Sequence, residues 1–542
     1  MRNIRTDAEL QHLAERVEYF AGDVFNMQLP EMRFFILDPM EFAALLEKSV
    51  YPTSPINIWE GKRIANKKHR IKSGQESSLY YEVVQTGNPS YAYLNETNSA
   101  LTQASVMAHV AGHCEFSELN VLHDSDMDRT EYVMYLVRKT DLARKQMGER
   151  RYLDYWNACE SVLPFIAPNS QYNLENAIDQ ESTVSRGSFV DEEDADEAVQ
   201  PLSLVSDTMT SLLNFEEPKK KFIDEEKKRD RSEALSRRGY TLRAPCQDIL
   251  GFLRHYAPTS QSEKSVLDYL YVAHQHQDFV IRTQIMNEGW AMYWEKKIMM
   301  ELFAEDSVRG AIDYSKVFSG VCYPRPWFQR NPYHLGYHMW LHIEELYKEG
   351  KMSLDYHEEV DNEARRLWEK PESVDTHAHM RHLVKSVTDY EFLRRFLTPE
   401  LVEKFHLNRL DPRMAQQIGV TQEDVYKADK HWIWLNPEPV VDEMLKFFTH
   451  FYRPRIYIID SDYLDGGLLL MHRDDGRGLK AEWIRPAIMN FSRIWKSPVY
   501  LLSKDKLYRA SAGGYKELSV KAVLFEEVVE RMRKQQTPFK SI

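Results

Sequence analysis

A chain of 542 residues with 70 Lys and Arg against 83 Asp and Glu, and a net charge of −13, is too long for one ordinary core and too acidic for a general attraction to nucleic acid or anionic lipid. Hydrophobic residues make up 43% and charged residues 28%, the texture of a globular protein. It has no run of ~18 apolar residues that could cross a membrane as a helix, and its charged, amphipathic start lacks the apolar core of a signal peptide. The expectation is a soluble, cytoplasmic protein of two or three domains.

In chain order, Leu10, Leu13, Val17, Phe20 and Val24 recur at helical spacing and predict an amphipathic helix over 9–27. Residues 50–98 are punctuated by Pro52, Pro55, Gly61, Gly74, Gly87 and Pro89 and read as irregular, with extended pieces at 80–84 and 91–94. Helices are expected over 97–122, 128–146 and 150–163. From 167 to 238 the blocks DEEDADEA and KKKFIDEEKKRDRSE carry few core residues and read as a solvated linker or excursion. Helical patterning resumes near 245 and runs beyond 294, with further helices at 332–348 and 353–369. After a helix at 439–452, the apolar runs 455–460, 468–472 and 498–502 alternate with helical stretches at 481–495 and 522–533.

The fold class expected is therefore a mainly α-helical N-terminal and central region with a small α/β (α+β) C-terminal domain. The divisions are 1–166, carrying an HxxxH helix; 167–240, a charged linker or surface insertion; 241–430, a central helical part packing with 1–166 as one domain; and 431–542, the α/β domain.

The strongest chemical feature is Met107-Ala-His-Val-Ala-Gly-His-Cys-Glu115. His109 and His113 are separated by about 40° of rotation and one helical turn, so both imidazoles leave one face and could bind one metal ion. The zinc-peptidase helix places Glu after its first histidine; here Val110 stands there, and the inverted form fails at Gly112. Val110→Glu is the substitution that would supply the missing base. Asn120 returns to the histidine face, whereas Glu115 points away. The pair is equally readable as two packing histidines.

In Asn287-Glu-Gly-Trp-Ala-Met-Tyr-Trp-Glu295, Glu288 and Glu295 share a face with Met292 and Met299. Acids on such a face are costly to bury unless paired or bound to a cation. Two turns, about 10 Å, separate the two carboxylates, which suits one ligand and one supporting acid better than two ligands. The alternative is a solvent-facing acidic stripe. Further on, Asn331-Pro332 can open a helix carrying His334 and His338 as a second pair; Pro332, Gly336 and Trp340 suggest packing rather than catalysis. The four cysteines, Cys114, Cys159, Cys246 and Cys322, form no CxxC, and no phosphate loop, GxGxxG or GxSxG occurs.

Trp59-Glu-Gly-Lys62, Tyr81-Glu-Val, Asn88-Pro-Ser-Tyr-Ala-Tyr-Leu94, Ala108-His-Val-Ala-Gly-His113, Ile285-Met-Asn-Glu-Gly-Trp-Ala291, Asn331-Pro-Tyr and Leu397-Thr-Pro-Glu-Leu401 occur in an order that resembles the SpoVR (stage V sporulation protein R) family. The resemblance implies a cytoplasmic bacterial protein linked to spore cortex formation or to stress and stationary-phase physiology. It also implies association with a PrkA-like serine kinase and a YhbH/YeaH-type protein, and it supplies no agreed reaction. Glu295 departs from the family motif, which commonly has His there. Together with the resemblance, the motifs suggest a centre in which His109, His113 and Glu288 hold zinc, or another divalent metal such as iron. Glu288, Glu295 and Asn120, with His334, would serve the chemistry of a metal-dependent hydrolase with a degenerate zincin-like helix. The competing expectation is a non-enzymatic scaffold.

Overall fold

In a computed structural model of the chain, the described residues are 2–4, 7–38, 41, 82–123, 129–177, 242–368, 370, 375–449, 453–464, 466–476 and 478–534. Residues 50–81 of the stretch expected to be irregular over 50–98, and most of the charged segment 167–240, lie outside them. The chain divides into two compact units, each discontinuous in sequence. One comprises Met1–Met134 with Phe279–Tyr452, the other Tyr135–Asp278 with Arg453–Ile542.

The first unit is mainly helical. Helix α1 (Ala8–Tyr19) is capped by Asp7 and continues as a π-helical turn, Phe20–Val24, over the end of the stretch expected as one helix. Strands β1 (Arg2–Asn3), β2 (Met32–Leu37), β3 (Glu82–Gln85) and β4 (Ser90–Asn95) form a mixed sheet in the order β1-β2-β4-β3, with β2 and β4 parallel. Its inner residues Phe34, Ala92 and Leu94 join a core with Val106 and Met107 of α2 (Ala100–Leu119). Ser99 opens α2 by accepting from Thr102 N–H, and Asn120 closes it. Fourteen of its residues are buried, so α2 is a core helix surrounded by protein rather than an amphipathic surface one.

The long helix α3 (Gln261–Ala304) enters this unit at Phe279. After it come α4 (Ala311–Val321), α5 (Pro332–Lys348), α6 (Thr376–Ser386), α7 (Asp389–Phe396), α8 (Pro399–Lys404) and α9 (Pro437–Phe448). Asn331 caps α5 and Pro332 fills its first position, as the sequence predicts. The helix expected over 353–369 is two short ones, Leu354–Glu358 and Asn362–Arg366, because Asp361 restarts the chain by accepting from Glu363 and Ala364 N–H. A small sheet, β5 (Arg409–Leu410), β6 (Val425–Ala428) and β7 (Ile433–Leu435), lies between α8 and α9 in sequence, in the order β5-β7-β6.

Three glycine contacts set the helix spacing. A Cβ on Gly112 of α2 would lie 2.6 Å from Ala291 Cα of α3. One on Gly289 of α3 would lie 2.2 Å from the Gly336 backbone of α5, and one on Gly336 would lie 2.0 Å from Ile285 O. Only glycine permits such backbone approach, so α3 is gripped between α2 and α5 at the NEGW motif.

The second unit holds a five-stranded sheet: β8 (Ile456–Tyr463), β9 (Gly467–His472), β10 (Val499–Ser503), β11 (Lys506–Ser511) and β12 (Gly514–Ser519), in the order β12-β11-β10-β9-β8. Parallel β9 and β10 are joined through the helix Ala481–Trp495, and both strands are wholly buried. This bears out the α/β character expected near the C-terminus. The edge of β8 is bridged by Cys246, whose N–H and C=O pair with Ile458 at 2.8 Å each.

Candidate metal centre

The α2–α3 crossing brings two sequence-distant motifs together. His109 and His113 leave one face of α2, their ring centroids 4.7 Å apart, and are 6% and 8% exposed. Facing them on α3 is Glu288. Its Oε2 lies 3.7 Å from His109 Nε2 and 3.5 Å from His113 Nε2. One ligand-capable atom from each of the three residues falls within 4.8 Å of the others.

The outer nitrogens are fixed. His109 Nδ1–H donates to Glu295 Oε2 at 3.0 Å, and Ser105 Oγ–H donates to Glu295 Oε1 at 2.6 Å. His113 Nδ1–H donates to Asn287 Oδ1 at 2.8 Å. Since a carboxylate and an amide oxygen can only accept, both rings carry a proton on Nδ1, and in the neutral imidazole each turns an Nε2 lone pair toward Glu288. Carboxylate or amide support behind a ligating imidazole is the arrangement that orients metal-binding histidines.

Electrostatics bears on what lies between these atoms. Burial pushes the Glu288 carboxyl up, but the neighbouring His109 and His113 outweigh it and lower it to about 2. The group is ionised, yet its buried Oε2 accepts no hydrogen bond among the described residues. The lowering is the effect of protonated rings whose Nε2–H groups face the carboxylate; with neutral rings the anionic oxygen faces two nitrogen lone pairs, an arrangement that a cation among them relieves. Ligands at about 2.0–2.1 Å around a tetrahedral ion stand about 3.4 Å apart, close to the separations found here. The donor set, two imidazoles and one carboxylate, suits zinc or ferrous iron. These residues fit a divalent metal.

The structure also places the other residues singled out from the sequence. Glu295 is behind His109. Asn120, at the end of α2, donates to Val384 O at 2.7 Å and accepts from Leu122 N–H at 3.0 Å, so its amide is committed to backbone groups. His334 has its ring nitrogens against Cys322 O at 2.9 Å and Phe405 O at 3.0 Å, a backbone clamp rather than an open ligand. Glu115 points away from the histidines, as expected. It accepts from Trp290 Nε1–H at 3.0 Å, Gln28 N–H at 3.1 Å and Arg381 Nε at 2.7 Å, tying α2, α3 and α6 together. Val110 is fully buried in the apolar core. A glutamate there would enter hydrocarbon packing, so the substitution suggested by the zinc-peptidase pattern would not supply a base.

Ser105, Asn287 and Tyr333 belong to this neighbourhood and received no role from the sequence. Ser105 stands four residues before His109, the spacing that returns to the same helix face, and Asn287 adjoins Glu288; both signals are local. Tyr333, whose ring centroid is 6.2 Å from that of His109, comes from the first turn of α5 and carries no such signal.

The chain matches the sequence profile of the family described as "SpoVR like protein" over residues 5–433. It is also 27% identical over 364 residues to "Uncharacterized protein YcgB" of Escherichia coli (strain K12), an alignment covering 65% of each chain. No solved structure matches. Among the described residues no helix is long and apolar enough to cross a membrane.

Proposed function

For this chain, which belongs to the SpoVR family, we propose a metal-dependent enzyme of the cytoplasm, hydrolytic in type, whose ion is held by His109, His113 and Glu288. The observation that carries the reading is the convergence of His109 Nε2 and His113 Nε2 on Glu288 Oε2, with both Nδ1–H groups held from behind by Glu295 and Asn287. When bound in such a set, a divalent ion polarises a substrate oxygen or makes water nucleophilic near neutral pH. The residues of the chain divide the remaining work. Ser105 holds Glu295, Glu295 and Asn287 hold the imidazoles, and Glu288 supplies the negative charge that favours a cation.

Both Glu295 oxygens are engaged, one with Ser105 and one with His109, so Glu295 acts as the orienting acid and not as the base. With Val110 in the core, ordinary zinc-peptidase chemistry through the residue after the first histidine is not the mechanism. A link to spore cortex or stress physiology is the biological setting proposed.

Elemental analysis of the purified full chain tests the centre. The expected result is close to one zinc or iron per chain, lost in His109→Ala and in Glu288→Ala, and weakened about 10–100-fold in Glu295→Gln. Metal-free protein, with cellular function intact in His109→Ala, would instead favour a non-enzymatic scaffold.

A further inference from the structure

Three residues before Glu288, α3 is held by a group outside it. Asp389, the first residue of α7, is fully buried. Its Oδ2 accepts from Ile285 N–H at 2.8 Å and its Oδ1 from Met286 N–H at 2.9 Å. Both donors lie in the interior of a 44-residue helix. There an N–H ordinarily points along the axis at the carbonyl four residues back. Two consecutive N–H groups reach an outside carboxyl only where that ladder opens.

The neighbouring contacts agree. Trp340 Nε1–H donates to Met286 O at 3.0 Å, and the α carbon of Gly336 is seated against Ile285 O. The α3 backbone at Ile285–Met286 thus gives its donors to α7 and a carbonyl to α5. Asn287 and Glu288 follow directly on this externally held turn of α3.

We propose that Asp389 is a positioning residue for the metal centre: it caps the opened turn of α3 from outside and thereby fixes where Asn287 and Glu288 face His113 and His109. It touches neither the ligands nor an ion and acts only through the backbone of Ile285 and Met286. A carboxyl group buried for packing alone would be a costly choice beside an apolar residue of similar volume; the two backbone N–H groups it accepts from supply the reason for it. The inference rests on the reading of His109, His113 and Glu288 as metal ligands.

Titration of the full chain with Co²⁺ tests it, because the visible ligand-field bands report coordination geometry directly. Asp389→Ala removes both acceptors and Asp389→Asn keeps one. We expect affinity to fall about tenfold in the alanine variant, less in the asparagine variant, with shifted bands in both. Asp248→Asn serves as the control. Asp248 is likewise buried and accepts backbone N–H groups from Ala167 and Gly251, but in the other unit, and its substitution should leave the bands unchanged while lowering stability. If Asp389→Ala fails to fold, Trp340→Phe, which removes the donor to Met286 O and leaves a smaller aromatic ring, should shift the bands in its place.

Wild-type bands and affinity in a folded Asp389→Ala chain, or in Trp340→Phe where that chain does not fold, would overturn the inference and leave the metal centre standing. Failure of the wild-type chain to bind Co²⁺ would overturn both.

Discussion

His338 shows how a single side chain couples the packing of α5 to pH. Burial lowers its imidazole to about 4, helped by the charges of His334 and Lys404, and its ring lies 5.5 Å from that of Phe405. In the unfolded chain the same group titrates near 6.5. As pH falls between these values, the unfolded state takes up a proton that the native state refuses, so stability is present above about pH 6.5 and is lost on acidification toward pH 4. His338→Gln should therefore lose less melting temperature between pH 7 and pH 5 than the wild type, as scanning calorimetry at the two pH values would show. Equal losses would mean that His338 is not a source of the acid sensitivity. The nearby His334 illustrates the limit of spacing arguments. Its i, i+4 relation to His338 is the same as that of His109 to His113, and the difference lies in what surrounds each ring. Two backbone carbonyls engage His334, whereas side-chain acceptors on one edge of His109 and His113 leave their other nitrogens directed at a carboxylate.

At the scale of the element, the two motifs make physical sense only as a pair. Gly112 between the histidines and Gly289 beside Glu288 let the backbones of α2, α3 and α5 approach closely enough for side chains as short as glutamate and histidine to meet. Gly112→Ala and Gly289→Ala should each cost about 1–3 kcal/mol or more, since the added methyl meets backbone rather than a mobile side-chain end. Gly320→Ala in α4, where nothing lies within 4 Å, should be neutral or stabilising by about 1 kcal/mol. Urea denaturation distinguishes these outcomes, and an undisturbed Gly112→Ala midpoint would contradict the crossing. Ligand types, helix placement and the shared histidine face were legible from spacing. The role of Gly112 was not: a sequence reading registers it as a missing glutamate, because the demand for a small residue comes from Ala291, 179 positions away. Asp389 was illegible for the same reason, as nothing in its own segment signals an opened turn in α3. The split of 353–369 turned on Asp361, a capping residue inside an otherwise helical run.

For the whole molecule, local patterning recovered the class, mainly helical with an α/β portion toward the C-terminus, because buried strands such as β9 and β10 read as continuous apolar runs. It did not find the parallel pairing of β2 with β4, which joins segments more than 50 residues apart. Nor does composition mark where one unit gives way to the other at two of the three changes, since these fall within helices: Arg129–Met147 at Met134–Tyr135, and α3 at Asp278–Phe279. The proposed metal centre lies wholly within the first unit, on α2 and the part of α3 that belongs to it. Its existence requires one cation lying among His109 Nε2, His113 Nε2 and Glu288 Oε2. Anomalous-difference maps collected at the zinc and iron edges from crystals of the full chain measure this directly. The prediction is a single peak within bonding distance of all three atoms, absent in His109→Ala crystals; a wild-type map with only water or nothing between those atoms would contradict it.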